Sequence, residues 1–378
     1  MDDFSVIDIK KTNYSNIFHL LYNSKKRQIK ISKQDIAYKL NLSLPTVTQN
    51  IRALISQDLI IEEGKFSSKG GRKAIAYSLN SSAKIALGVE ISKQEVKIVS
   101  LDLLGNVTLQ ETKRLAFQYS DTYFECLADF IKSYIHNRNL DKSRILGIGL
   151  GIQGLISHDG RTVLYGKILN CTGLDIKAIA KYLDFPCRFV HDAECVATAE
   201  QWVEPEIKEA IILSVGEHLG GALIMNGQPY NGANGRSGTI EHTILNPSGP
   251  ECYCGKKGCV EVYCSLNALA LQYGSTMEEF INCLRNGDKR ANQIWYAFMD
   301  SLAMAINNFH MFLDNQVIIG GDILNFITKE DLLHINQLVK DKSAFPDENK
   351  FISLGKLTND AVAIGAALPL IKEYIDTL

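Results

Sequence analysis

The chain has 378 residues, of which 46% are hydrophobic and 22% are charged, and its formal net charge is −2. This length suits two or three globular domains rather than one. Residues 1–8 are acidic and no apolar segment follows them, so a signal peptide is not expected. No run of about 18 apolar residues predicts a transmembrane helix. We therefore expect a soluble cytoplasmic protein that does not bind a membrane.

Positive charge is concentrated in the amino-terminal part of the chain. Residues 1–80 contain 13 Lys and Arg against 7 Asp and Glu, which gives +6, whereas the remaining residues contain 27 against 35, which gives −8. A basic segment on an acidic body indicates that only this segment binds a polyanion.

Two consecutive helices are predicted in the basic segment. Ser32 and Asp35 have the spacing of a capping box, so a helix begins after Ser32. A second helix follows the break at 41–43 and carries its apolar residues on one face, namely Leu44, Val47, Ile51, Leu54 and Ile55. Two helices joined by a short turn are typical of a helix-turn-helix, whose second helix enters the major groove. A small helical bundle with a solvated face is the alternative.

The candidate DNA-binding residues lie on the polar face of the second helix and in a predicted hairpin. Those of the helix are Pro45, Thr46, Thr48, Gln49 and Arg52. The basic, glycine-rich tip of the hairpin consists of Lys69, Gly70, Gly71, Arg72 and Lys73. Glycine lets the backbone approach the duplex, and arginine enters a narrow minor groove or neutralises phosphate. The pattern predicts a winged helix-turn-helix within residues 1–80 that binds double-stranded DNA.

From residue 85 onward the pattern changes to β-branched strands separated by glycine and followed by helices. This succession occurs twice, first over residues 85–192 and again over residues 209–375. Strand hairpins followed by helices indicate two α/β lobes with a cleft between them.

A cluster of metal-ligand residues lies in the segment HTILNPSGPECYCGKKGCVEVYCS, residues 242–265. The chain has nine cysteines, and an odd number without a secretion signal favours free thiols over disulfides. Cys252, Cys254 and Cys259 put three thiolates on a tight loop, as a tetrahedral Zn²⁺ site requires. Spacing alone leaves open whether His242 or Cys264 is the fourth ligand. Free cysteines without a metal are the other alternative. A DNA-binding zinc finger is not expected, because the segment lacks a second pair of ligands at a helical interval.

The motifs GIGLGIQGLI, HDAECVATAE, SVGEHLGGALIMNG, VIIGGD and AIGAA, together with the cysteine cluster, resemble those of the ROK family of repressors and kinases. The resemblance covers nearly all of residues 84–378. It implies an actin-like (ribonuclease H-like) fold, a sugar or sugar phosphate bound between the lobes, and a homodimer or homotetramer. The expected first lobe is 84–192 plus 358–378, and the expected second lobe is 193–357 with the zinc loop.

The resemblance also assigns roles to individual residues. It implies a closed structural zinc site formed by His242, Cys252, Cys254 and Cys259, with Cys264 as a buried neighbour. It implies sugar contacts at positions from both lobes, namely Gly154, Asn170, Asp192, His242 and Glu261. Two departures alter this pocket, because His191 stands where the family usually has Asn and Thr239 where it usually has Glu. Glu241, at a position that is usually glycine, is the candidate to replace the missing carboxylate.

The phosphate-binding turns of the family's kinases are degenerate in this sequence. Glu90 replaces the Asp of the first turn, and no Gly-Gly-Thr follows it. In the second turn, GEHLGG, Glu217 and His218 stand where the kinases have small residues. We therefore predict a sugar-responsive transcriptional repressor without enzyme activity. The alternatives are a sugar kinase with a fused DNA-binding head and a repressor controlled by a protein partner.

Overall fold

The computed structural model describes residues 6–66, 73–345 and 351–378. The amino-terminal unit, here called the head, contains α1 (Val6–Lys26), β1 (Ile31–Ser32), α2 (Lys33–Leu40), α3 (Leu44–Ser56), β2 (Ile60–Lys65) and β3 (Ile75–Leu79). Its strands pair antiparallel in the order β1-β3-β2. Three helices followed by an antiparallel hairpin form a winged helix-turn-helix.

Local sequence signals account for the two central helices of the head. The Ser32 hydroxyl accepts a hydrogen bond from the Asp35 N–H at 3.2 Å, and the Asp35 carboxylate accepts one from the Ser32 N–H at 2.8 Å. The predicted capping box is therefore present at the start of α2. Along α3, Val47, Ile51 and Leu54 are fully buried, so this helix packs its apolar face into the core of the head.

The first lobe is built on a five-stranded sheet. Its elements are β4 (Ile85–Ile91), β5 (Glu95–Leu101), β6 (Val107–Arg114), α4 (Asp121–Asn137), β7 (Ile145–Ile152), β8 (Leu155–Ile156), β9 (Val163–Tyr165), α5 (Lys177–Ala180), β10 (Cys187–His191) and α6 (Asp192–Val203). The strand order is β10-β7-β4-β5-β6, in which β4, β7 and β10 are parallel and β5 is antiparallel to both of its neighbours.

The second lobe repeats this topology. Its elements are β11 (Ala210–Val215), β12 (Leu219–Met225), β13 (Gln228–Pro229), α7 (Glu261–Cys264), α8 (Leu266–Tyr273), α9 (Met277–Arg285), α10 (Lys289–Leu313), β14 (Gln316–Gly320), α11 (Lys329–Lys342) and β15 (Ile352–Leu354). The last helix, α12 (Ala361–Thr377), returns to the first lobe and packs on β4 and β7. The strand order is β13-β12-β11-β14-β15, and read from β15 to β13 it has the same succession of two parallel and two antiparallel pairs as the first sheet. The predicted two-lobed α/β class is confirmed. Within the described ranges, no helix is both long and apolar enough to cross a membrane.

Two helices, α6 and α12, pack closely in the middle of the molecule. A Cβ atom at Gly88 on β4 would lie 1.8 Å from the Ala363 carbonyl oxygen of α12, and one at Gly365 would lie 1.8 Å from the Cys195 carbonyl oxygen of α6. Only glycine fits at such contacts, so backbone touches backbone. The first sheet, α12 and α6 therefore form one close-packed stack.

The head shares a hydrophobic core with the first lobe. Buried Ile17 and Phe18 of α1 belong to the same cluster as Leu101 of β5, Ala199 of α6 and Leu368 of α12. Burial of apolar side chains from both parts fixes the head on the body.

Candidate ligand cavity and metal centre

A cavity of about 1310 Å³ lies between the lobes. Five of the seven residues predicted to bind sugar line it, namely Gly154, His191, Asp192, Glu241 and His242. His218 and Tyr253, which were not predicted, line it as well. Asn170 and Glu261 are not among its lining residues. Side chains from both lobes thus converge on one space that is large enough for a small polar ligand.

His191 and Asp192 stand where β10 ends and α6 begins. His191 is the N-cap residue, and its Nε2 lies 3.2 Å from the Asp192 Oδ1. The amino end of a helix carries a partial positive charge, which stabilises the Asp192 carboxylate. The strand-to-helix junction therefore presents a hydrogen-bonding acid to the cavity.

Glu241 presents a buried carboxyl group to the same cavity. Its side chain is 9% exposed, and its Oε2 atom has no hydrogen-bond partner within the described residues. Burial, with the negative charges of Asp192 and Glu261, raises the pKa of Glu241 to about 8. A buried oxygen without a partner is costly unless a ligand or water satisfies it.

Glu261 is buried behind the cavity wall. Its Oε1 lies 2.7 Å from His218 Nδ1, and its Oε2 accepts a hydrogen bond from the Leu219 N–H at 2.7 Å. The carboxylate is therefore used within the protein, and His218 stands between it and the cavity. In the sequence, His218 is visible only as a bulky residue in a degenerate phosphate turn.

His242, Cys252, Cys254 and Cys259 come together as predicted, with their ligand atoms all within 4.8 Å of one another. The Cys254 and Cys259 sulfurs are 3.7 Å apart, and Cys252 Sγ lies 3.8 Å from His242 Nδ1. Tetrahedral zinc with Zn–S bonds of about 2.3 Å requires sulfur–sulfur separations of about 3.8 Å. The four side chains can therefore hold a metal ion. Cys264 lies outside this group and is fully buried in the core of the second lobe.

The loop that carries the thiols is held by short-range hydrogen bonds. The Cys252 N–H donates to the Lys256 carbonyl at 2.7 Å, and the Gly255 N–H donates to the Cys252 carbonyl at 2.8 Å. Gly258 has φ = +72°, and a Cβ there would lie 1.6 Å from the Asn246 carbonyl oxygen. Glycine is thus required for the last thiolate to meet the others.

An ion-pair cluster lies beside the degenerate first phosphate turn. Lys97 Nζ lies 3.6 Å from the Glu90 Oε2 and 3.5 Å from the Asp360 Oδ1, and it also donates to the Asn359 carbonyl oxygen. Burial raises the pKa of Glu90 to about 7, although Lys97 opposes this shift. None of these residues lines the cavity. No sequence pattern indicated Lys97, because its partners lie on other elements of the structure.

The polar face of α3 is open to solvent. Pro45, Gln49 and Arg52 are exposed, and Thr46 and Thr48 are half-buried. In the predicted hairpin, Lys73 is exposed, whereas Lys69, Gly70, Gly71 and Arg72 lie outside the described residues. The face that the sequence assigned to DNA is thus accessible on α3.

Trp202, near the end of α6, contacts the head. Its Nε1–H donates to the Leu104 carbonyl at 2.9 Å, and Lys26 Nζ of α1 lies 4.8 Å from its ring centre. A Cβ at Gly105 would lie 2.3 Å from the indole nitrogen, so the ring is tightly enclosed. A cation over an indole ring is an attractive contact. No sequence pattern indicated this contact, since its parts are far apart in the chain.

A winged head fused to a two-lobed α/β body, with a Cys₃His cluster beside the interlobe cavity, defines the class of protein. The chain belongs to the ROK family, which matches residues 86–373. It is 23% identical over 369 residues to the xylose repressor of Caldicellulosiruptor bescii, which covers 91% of this chain and 92% of that protein.

Solved structures share the fold. The crystal structure of a ROK family transcriptional regulator, a homolog of the E. coli MLC protein, has a TM-score of 0.77 at 22% identity and covers 97% of this chain and 96% of that one. A ROK family glucokinase from Streptomyces griseus, in complex with glucose and AMPPNP, has a TM-score of 0.66 at 18% identity and covers 75% of this chain and 98% of that one. These likenesses establish the actin-like fold.

Proposed function

We propose that the protein is a transcriptional repressor that binds operator DNA through its head and responds to a sugar in the interlobe cavity. The xylose repressor that it resembles matches about nine-tenths of both chains, so the likeness includes much of the head. The solved regulator likewise covers 97% of this chain. A sugar changes DNA affinity only if it binds two states of the protein unequally.

The observation that carries this proposal is that α6 joins the cavity to the head. Its first residue, Asp192, lines the cavity, and Trp202, near its end, contacts Lys26 of α1. Between them, Ala193 and Val196 pack against the second lobe, and Ala199 belongs to the core shared with the head. Closure of the lobes on a sugar would shift α6 and thereby the head, which lowers DNA affinity.

The proposed sugar contacts are the predicted residues of the cavity wall, namely Gly154, His191, Asp192, Glu241 and His242. Asn170 and Glu261 belong to the same prediction but lie outside the lining. Glu261 acts on the cavity through His218, whereas no contact connects the exposed Asn170 to the predicted set within the described residues. Carboxylates and imidazoles pair with sugar hydroxyls in a cleft that excludes water.

The proposed DNA contacts are those predicted for the head. On α3, Thr46, Thr48, Gln49 and Arg52 would read base edges, and Pro45 would pack against the backbone. The residues predicted for the hairpin tip, namely Lys69, Gly70, Gly71, Arg72 and Lys73, would contact phosphate or the minor groove. Because operator DNA lies in the cytoplasm, we also propose a cytoplasmic location for the protein.

We propose that the metal is a structural zinc ion held by His242, Cys252, Cys254 and Cys259. Three thiolates and an imidazole favour zinc and leave no open position for an activated water. His242 Nδ1 faces the cluster while Nε2 lies 3.9 Å from Glu241 Oε1 on the cavity side. Bound zinc would fix the ring orientation of His242.

We propose a homodimer or homotetramer, as a palindromic operator would require. The exposed side of α10 supports self-association, because Tyr296, Met304 and Met311 recur at intervals of eight and seven residues on one side of the helix. Phe312 beside them is 87% exposed. Large apolar side chains grouped on one surface are typical of protein interfaces.

Replacing Trp202 with Phe tests the route from sugar to DNA. The substitution removes the hydrogen bond to Leu104 and weakens the contact with Lys26, so the ratio of operator Kd values with and without sugar should fall by about threefold or more. Fluorescence anisotropy of labelled operator measures this ratio. The matched control is Trp295→Phe in the core of the second lobe, which should leave the ratio unchanged. Equal ratios in wild type and Trp202→Phe would contradict the route.

Replacing Arg52 with Ala tests the DNA-reading face. If Arg52 contacts a base, specific operator affinity should fall by about 1–3 kcal/mol, while affinity for unrelated DNA changes less. The control is Arg114→Ala, which removes an exposed arginine from β6 of the body and should leave both affinities as they are. Unchanged operator affinity in Arg52→Ala would remove this residue from the readout.

Elemental analysis of the purified chain tests the metal site. We expect about one zinc per chain in the wild type and in Cys126→Ser, whose thiol is exposed on α4, and substoichiometric zinc in Cys254→Ser because a ligand is lost. Cys264→Ser distinguishes the alternative fourth ligand and should retain the metal. Wild-type protein without zinc would contradict the assignment.

ATP turnover tests the proposed absence of kinase activity. With Lys97 paired to Glu90 and Asp360 at the degenerate turn, we expect no sugar-dependent ADP formation in the presence of Mg²⁺ and ATP. A coupled ADP assay with D-xylose, D-glucose and N-acetyl-D-glucosamine measures it. Sugar-dependent turnover on the order of 1–100 s⁻¹, as is typical of kinases, would overturn the proposal.

A further inference from the structure

His218 is held in a fixed orientation by Glu261. Both carboxylate oxygens of Glu261 are engaged, one with His218 Nδ1 and the other with the Leu219 N–H, each at 2.7 Å. The Glu261 side chain is 5% exposed, and that of His218 is 16% exposed. Because a carboxylate only accepts hydrogen bonds, the hydrogen of the neutral imidazole resides on Nδ1.

The second ring nitrogen of His218 is then a hydrogen-bond acceptor. The ring lines the cavity, and within the described residues no hydrogen bond reaches Nε2. The Tyr253 ring lies edge-on to both His218 and His242, with centroid distances of 5.4 and 5.2 Å. These three rings form a wall from which Nε2 offers a lone pair to a ligand.

Carboxyl groups and basic side chains share this cavity. Glu241 Oε2 is buried without a partner within the described residues, and the Asp192 carboxylate lines the same space. The cavity is also lined by four basic residues, namely Lys167, Arg188, Arg236 and Lys256. A ligand hydroxyl that donates to the His218 Nε2 can therefore belong to a molecule whose other groups pair with these side chains.

We propose that His218 is a specificity-determining contact of the effector and accepts, through Nε2, a hydrogen bond from a hydroxyl group of the sugar. Asp192 and Glu241 pair with other hydroxyls of the same molecule, and Glu261 is a positioning residue that acts through His218. This inference rests on the proposed sugar-sensing function and names a residue that selects the effector.

Calorimetric titration of the full-length, zinc-containing protein identifies the sugar on which the contact is tested. The probes are D-xylose, D-glucose and N-acetyl-D-glucosamine, with glucose 6-phosphate and N-acetylglucosamine 6-phosphate as charged counterparts. At least one of these ligands should bind the wild type, and its Kd is the reference for the variants.

Substitutions at His218 test the contact itself. His218→Asn keeps a donor for Glu261 but removes the acceptor at the Nε2 position, so the sugar Kd should rise about tenfold. His218→Gln extends an amide to that position and should restore affinity to within about threefold of wild type. The matched control, His136→Asn at an exposed position of α4, should bind as the wild type does.

The outcomes separate this inference from the proposed function. If no neutral or phosphorylated sugar binds the wild type, sugar sensing fails and this inference fails with it. If a sugar binds wild type and His218→Asn equally, only the role of His218 is refuted. Zinc content and thermal unfolding show whether each variant is folded. If His218→Asn is not folded, the sugar affinity of His218→Gln is compared with that of the wild type. A loss of sugar affinity of about tenfold in His218→Gln would then count against the contact.

Discussion

The structure depends on the packing of α6, a helix of 12 residues that begins in the cavity wall and ends against the head. Its flanks touch the second lobe through Ala193 and Val196, and its Cys195 carbonyl meets α12 at Gly365. Protein interiors are dense, so a displacement of one end cannot be absorbed locally. At about 1.5 Å per residue the helix spans roughly 18 Å, and a shift at Asp192 therefore reaches the head. The head and the body also share a hydrophobic core that includes Ala199 of α6. A shift of α6 therefore displaces the head together with it.

In this account the cysteine loop serves the cavity rather than DNA or catalysis. His242 faces the thiolates with one ring nitrogen and the cavity side with the other. Glu261, two residues after the last thiolate, fixes His218 in the wall. Of the side chains that stand in the degenerate phosphate turns, His218 lines the cavity, whereas Glu90 and Glu217 do not. A sensor in this fold needs only differential affinity for two states, not chemistry.

Features determined by short stretches of chain were predictable from the sequence. The capping box of Ser32 and Asp35 and the loop of Cys252, Cys254 and Cys259 depend on close spacing, and the structure contains both. Spacing did not decide the fourth ligand, which the family resemblance assigned to His242. The apolar face of α3 was only partly predictable, because two of its five predicted residues, Leu44 and Ile55, are 47% and 39% exposed. Contacts between distant segments were not predictable. The pair of His218 with Glu261 joins the turn between β11 and β12 to the first residue of α7, 43 residues apart. A histidine in a glycine-rich turn indicates by itself only a lost phosphate site.

The central claim, that the cavity and the head are coupled, is tested most directly by measuring reciprocity. Sugar affinity is determined by titration with and without saturating operator DNA, and operator affinity with and without saturating sugar. Thermodynamic linkage requires both ratios to be the same, and coupling free energies are typically about 1–3 kcal/mol, or roughly 5- to 150-fold. The account predicts equal ratios in this range, with each ligand weakening the other. Operator affinity that is the same with and without a bound sugar would contradict it.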